Sequence, residues 1–274
     1  GSPEVRIGLI DGPVAVHRLG LTGEHVHEIA GSAGSLCAKA DDAARLHGNF
    51  VSGILSAKRG SSAPAICPGC TLLIRPIFAE TSSQSAPIPS VTPQGLAAAI
   101  IACVKAGARV INLSLALAQP STKAELVLEQ ALDYAAAHKV LVVAAAGNQG
   151  TLGSSPITRH PWVIPVVAYD LEGRPMNHSN LGGSIGKQGL GAPGDNVTSL
   201  GAVGNPVTLA GTSVAAPFVT GAIALLWSMF PMATAAQVKF AVTQTYTPRR
   251  SSVVPPLLDG WGAHQSMVTM PWNR

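Results

Sequence analysis

Four stretches of the chain are largely apolar and stop abruptly at a polar or small residue. Residues 5–10 end at Asp11, 109–113 at Ser114, 140–146 at Gly147-Asn148, and 162–168 near Asp170. Each is short and reads as a buried strand. Between and after them the period changes. Residues 93–106 and 122–138 space their apolar positions three and four apart, and 213–230 and 234–244 add two further helical stretches. Strands alternating with helices predict an α/β fold of three layers, a mostly parallel sheet with helices on both faces. Strands that are apolar throughout, rather than at every second position, fit a sheet covered on both sides. In such sheets ligands bind beyond the carboxyl ends of the strands, and Asp11, Ser114 and Asn148 fall there.

Composition narrows the classes. The 274 residues are 47% hydrophobic and 12% charged, which excludes a disordered chain and allows a sizeable core. The net charge of +4 includes no basic stretch longer than Arg249-Arg250, so no nucleic-acid partner is expected. Apolar runs stop short of the roughly 20 residues that span a bilayer, and 222–227 with Phe230 reads as a buried helix, so no membrane partner is expected either. Residues 80–90 read as a Ser/Pro-rich surface loop, and the tail after Tyr246 as a strap around the domain. No break in composition divides residues 1–274, and Gly1-Ser2 reads as an expression remnant. Cys67-Pro68-Gly69-Cys70 has CxxC spacing but lies in a turn without a second ligand pair. Free structural thiols are the default reading for this pair, Cys37 and Cys103, and a local disulfide or metal role for the CxxC pair is the alternative.

Gly211-Thr212-Ser213-Val214-Ala215-Ala216-Pro217 precedes a long apolar helix and puts Ser213 at a helix N-terminus. A serine hydroxyl needs a base to become a nucleophile, and the alternative for Ser213 alone is an N-cap. His47, ahead of the apolar run 50–55, is the candidate base, whereas the other histidines have no comparable context. Asp11 can accept from one imidazole nitrogen and leave the other free, or simply form a turn with Gly12-Pro13. Asn148 can donate its side-chain amide to an oxyanion beside the Ser213 N–H, or serve as a turn residue after Gly147.

Five blocks in order carry a family resemblance. Ile7-Gly8-Leu9-Ile10-Asp11-Gly12, His47-Gly48-Asn49-Phe50-Val51-Ser52-Gly53, Val110-Ile111-Asn112-Leu113-Ser114-Leu115, Ala144-Ala145-Ala146-Gly147-Asn148 and the serine block resemble the subtilisin-like serine peptidases. The resemblance covers nearly the whole chain. It implies a subtilisin-like fold and a serine endopeptidase in which Asp11, His47 and Ser213 form the triad and Asn148 serves the oxyanion. It also implies that Ser114, Leu115, Ala116, Ala145 and Gly147 line a peptide substrate. No cofactor is implied. Departures stand at Asn49-Phe50, where the family usually has Thr-His, and at Val214 and Ala216 in the serine block. Ala116-Leu117 stand where glycines are usual. Many subtilases bind calcium after the histidine helix. Here 56–68 holds Lys58 and Arg59 and no carboxylate, so no metal is expected there.

Asp11-Gly12-Pro13-Val14 and Arg75-Pro76-Ile77-Phe78 look closest to proteases that mature ribosomal peptide natural products, of the cyanobactin kind. That implies a precursor-peptide substrate and favours the cytoplasm, whereas a general subtilase would be secreted. Some members close macrocycles through an added insertion, and the stretch between Asp11 and His47 has room only for a small one, which favours plain proteolysis. A silent peptide-binding subtilase fold is the competing reading. A nucleotide-binding protein is disfavoured because Leu181 and Gln188 spoil the nearest phosphate-loop pattern, at 182–187.

Overall fold

The computed structural model describes residues 1–16, 21, 25–29, 43–77, 91–115, 125–244 and 252–270. The strands are β1 Arg6–Asp11, β2 Val26–Glu28, β3 Thr71–Pro76, β4 Val110–Leu113, β5 Leu141–Ala145, β6 Val163–Tyr169, β7 Leu190–Pro193, β8 Val197–Leu200 and β9 Pro206–Leu209. The helices are α1 Ala43–Ser56, α2 Pro93–Lys105, α3 Leu126–Ala137, α4 Pro156–Arg159, α5 Gly183–Gln188, α6 Thr212–Met229, α7 Ala235–Thr243 and α8 Gly260–Thr269. Strands β1 to β7 form one sheet in the order β2-β3-β1-β4-β5-β6-β7, with every neighbouring pair parallel. Strands β8 and β9 make a separate antiparallel hairpin.

Alternate residues of the central strands feed two different cores. Ile7, Leu9, Val110, Leu141 and Val143 face the layer that holds α1, α6, α7 and α8. Ile10, Ile111, Leu113, Val142 and Ala144 face α2 and α3. Burial on both faces is why these strands carry no polar alternation. The three-layer α/β arrangement is therefore the one expected, and the four expected strands and four expected helices all form. Helix α6 is long and apolar enough to cross a membrane. Here it is the central helix, packed on β4 to β7 with Val219, Ile223 and Trp227 buried. Full burial of side chains this large contributes on the order of 1.5–3 kcal/mol each.

The structure corrects several details. Helix α1 begins at Ala43, so His47 lies inside it rather than ahead of it. Strands β2, β3 and β7, the β8–β9 hairpin and helix α8 have no counterpart in the apolar pattern described above. The tail does strap the domain, since Gly191 N–H donates to Pro256 O at 2.7 Å and Leu258 N–H to Gly191 O at 2.8 Å. Helix α8 follows this strap. Residues 80–90, Ala116-Leu117, Arg249-Arg250 and Cys37 lie outside the described residues.

Cys67, Cys70 and Cys103 are free and buried. In the turn at 67–70, Cys70 N–H donates to Cys67 O at 2.9 Å. The proximity of the two thiols raises Cys67 and pulls Cys70 down to about 6. Burial on the inner face of α2 pushes Cys103 up to about 12.

Candidate active site

The carboxyl ends of β1, β4 and β5 and the N-terminus of α6 meet at one end of the sheet. Asp11, the last residue of β1, is 1% exposed. Its Oδ1 accepts from Gly12 N–H at 2.6 Å and contacts His47 Nδ1 at 2.7 Å. A buried carboxylate in this position makes Nδ1 the protonated nitrogen of a neutral ring, which leaves Nε2 as the acceptor. The His47 side chain keeps 14% exposure, enough for one edge to face the cleft. Burial pulls the imidazole pKa down. The Asp11 charge and hydrogen bond outweigh it, and the net shift is upward.

Glycines set the approach of these two segments. A Cβ on Gly12 would lie 1.8 Å from Ala44 O, and one on Gly48 would lie 2.5 Å from Gly12 O. Helix α1 therefore rests backbone to backbone on the segment after Asp11, which no larger residue permits. One turn further on, Phe50 and Ile54 of α1 share an apolar cluster with Val214 of α6, next to Ser213. This contact brings the helix of His47 to the helix of Ser213.

Ser213 is the second residue of α6, whose N-cap is Gly211 at φ +136°. Pro217 sits four residues later inside the same helix. It has no N–H, so the Ser213 carbonyl lacks its usual intrahelical donor. Ser114 Oγ supplies one, at 2.9 Å. Ser114 Oγ in turn accepts from Asn112 Nδ2 at 2.7 Å, and Asn112 Oδ1 accepts from Thr220 Oγ1 at 2.8 Å. All three side chains are buried, so this polar chain is fully satisfied and pins the first turn of α6 to the end of β4. The Ser213 hydroxyl itself makes no hydrogen bond to His47 among the described residues, a link that resting enzymes often leave open before substrate binds.

Asn148 follows β5. Its Oδ1 accepts from both Thr212 N–H at 2.9 Å and Thr212 Oγ1 at 3.0 Å. Thr212 Oγ1 accepts from Gly147 N–H at 3.1 Å. With its oxygen end occupied, Asn148 turns its amide NH2 toward Gly211, where a Cβ would lie 3.0 Å from Nδ2. The absence of that Cβ keeps space beside the amide donor. Asn180 braces the loop, accepting from Gln149 N–H and Thr151 N–H and donating to Ala146 O.

The residues read as peptide-lining are arranged unequally. Ser114 spends its hydroxyl on Ser213 O, and Gly147 spends its N–H on Thr212. Ala145 is buried at the end of β5, Leu115 is half-buried against the α2–α3 core, and Ala116 lies outside the described residues. Asn112, Thr212, Thr220 and Asn180 do not stand out from the sequence. Pro217 is the available signal for Ser114, because a proline in an early helical turn leaves a carbonyl that something must satisfy.

Residues 4–262 match the family model described as the subtilase family. The chain is 33% identical over 202 residues to a thermostable alkaline protease of Halalkalibacterium halodurans, which covers 73% of this chain and 52% of that protein. It is 29% identical over 249 residues to subtilisin DY of Bacillus licheniformis, covering 89% of this chain and 84% of that one. It thus spans about half the length of the alkaline protease and most of subtilisin DY. Among solved structures, a mutant of the protease domain of PatA superposes with a TM-score of 0.85 at 30% identity, covering 97% of this chain and 95% of that one.

Proposed function

The chain belongs to the subtilase family of serine peptidases, and from that footing we propose that it hydrolyses peptide bonds through an acyl-enzyme on Ser213. His47 Nε2 takes the Ser213 proton as Oγ attacks the scissile carbonyl. Asp11 accepts from Nδ1–H, holds the ring in that tautomer and stabilises the imidazolium as it forms. The Asn148 amide and the Ser213 N–H at the start of α6 receive the developing oxyanion, where the helix dipole favours negative charge. His47 then protonates the leaving amine, and water resolves the acyl-enzyme. The observation that carries this reading is the 2.7 Å contact between a buried carboxylate and a partly exposed histidine, on a helix packed against α6, whose second residue is Ser213.

The substrate proposed is a precursor peptide. The likeness to the PatA protease domain supports it, as does the prenylagaramide maturation protease PagA at 28% identity and a TM-score of 0.84. A fluorophosphonate probe should label the wild type at Ser213 and leave Ser213→Ala unlabelled. Labelling that persists in Ser213→Ala refutes the nucleophile. A peptide-library digest read by mass spectrometry, with cyclic products scored, separates hydrolysis from ring closure and defines the cleaved bond.

A further inference from the structure

We propose that Asn49 is a positioning residue that ties together the three chain segments bearing Asp11, His47 and Ser213. The inference rests on the triad reading above. Asn49 is fully buried, two residues beyond His47 in α1. Its Oδ1 accepts from Ala15 N–H at 2.9 Å, on the segment that leaves Asp11. Its Nδ2 donates to Ala202 O at 3.1 Å and to Gly201 O at 3.3 Å. Those two carbonyls open the turn between β8 and β9, and β9 leads directly into Gly211 and Ser213. The hairpin itself packs on α1, where Ser199 Oγ donates to Phe50 O at 2.8 Å.

The chemistry of the amide suits this place. Asn carries an acceptor oxygen and two N–H donors on opposite corners of one rigid plane, so one side chain can accept from one segment and donate to another. Asn is a poor residue for a helix interior, and this one stands at the seventh of the fourteen positions of α1. Threonine, the residue usual in this family at the matching place, has a shorter arm and a single hydroxyl hydrogen. It cannot make all three bonds. The Gly12–Gly48 contact sets how closely α1 approaches the Asp11 segment, but two bare backbones do not define their sliding along one another. The Asn49 bond to Ala15 N–H, outside that contact, restricts the sliding.

The test is a kinetic and pH comparison of wild type, Asn49→Ala, Asn49→Thr and Ser213→Ala. In Asn49→Ala, kcat should fall about tenfold with KM within about twofold, the size expected for losing one or two buried hydrogen bonds. The acid limb of the kcat/KM profile should also move to lower pH. The Asp11 contact is what raises the His47 pKa against burial, and a looser contact lets burial prevail. Asn49→Thr, which keeps an acceptor near Ala15 and disturbs packing less, should fall between the two. It carries the test where Asn49→Ala fails to fold. A lowered melting temperature with kcat and the acid limb unchanged in both variants overturns the proposal and leaves Asn49 a stabiliser only. Absence of fluorophosphonate labelling in the wild type, or full turnover in Ser213→Ala, instead overturns the triad reading, and this proposal with it.

Discussion

The two halves of the candidate site are held by different physics. The Asp11–His47 half is ionic, with a buried carboxylate, an imidazole whose pKa it raises and a single direct contact at 2.7 Å. The half around Ser213 and Asn148 is neutral. There a chain of side-chain bonds from Thr220 to the Ser213 carbonyl, and a second set through Thr212 to Asn148, fix groups that carry no formal charge. The first half should therefore answer to pH and to charge-changing substitutions. The second should answer to loss of geometry at any pH.

The largest effect is expected at the atom on which both halves converge. Ser213→Ala should lower turnover by about 10⁶, the loss that follows removal of the corresponding serine of subtilisin, leaving only binding and the oxyanion donors. Active-site titration and steady-state rates would show it. Next comes Asp11→Asn, which keeps the shape and removes the charge. A fall of about 10⁴ in kcat is expected, because the amide no longer enforces the Nδ1–H tautomer. Its acid limb should also shift to lower pH.

In the neutral half, Asn148→Ala should cost roughly 10²–10³ in kcat, the range that belongs to the corresponding donor of subtilisin. The pH profile should keep its shape, and a displaced acid limb in this variant would contradict the division into two halves. Thr212→Val, which removes one hydroxyl behind Asn148, should cost about fivefold to tenfold, near 1 kcal/mol, again without a pH shift.

The pH dependence of the wild type follows from the same pair. His47 must be neutral to accept a proton, and its pKa stands above the ordinary value of 6.5, so activity should fall as pH drops through a midpoint above 6.5. The stability consequence has the opposite sense. A raised folded-state pKa means that the Asp11–His47 attraction adds stability fully below pH 6.5, and this is lost as pH rises through the folded-state value. Melting curves across that window, compared with Asp11→Asn, measure it.

Much of this arrangement is legible from residue order. Apolar stretches ending at Asp11, Ser114 and Gly147-Asn148 announce a parallel sheet and its functional edge, because strands buried on both faces leave a pattern that few other structures produce. The edge strands are not legible. β2 has three residues, and β7 carries Gly191 and Pro193 among its four, so neither forms an apolar run. Helix α8 hides in a segment whose Gly260 and Gly262 read as loop until Asp259 caps it, accepting from Gly262 N–H at 2.8 Å. The resemblance implies Ser114 as a peptide contact, and what the sequence does not show is that its hydroxyl also answers the carbonyl orphaned by Pro217.

Residue order and local period were thus enough for the α/β class, the succession of chemical groups and the serine, histidine, aspartate and asparagine that resemble one family. Each block or period that carries those features is local, and only their order runs along the whole chain. Only the packed chain brings Asp11 to within 2.7 Å of His47 across 36 positions, and only there does Thr212 rather than solvent occupy the Asn148 oxygen. The same holds for the buried amide of Asn49, which bonds to Ala15 on one segment and to Gly201 and Ala202 on another. Hydrogen bonds between distant segments depend on how the layers settle against each other, and that information is spread over the whole core.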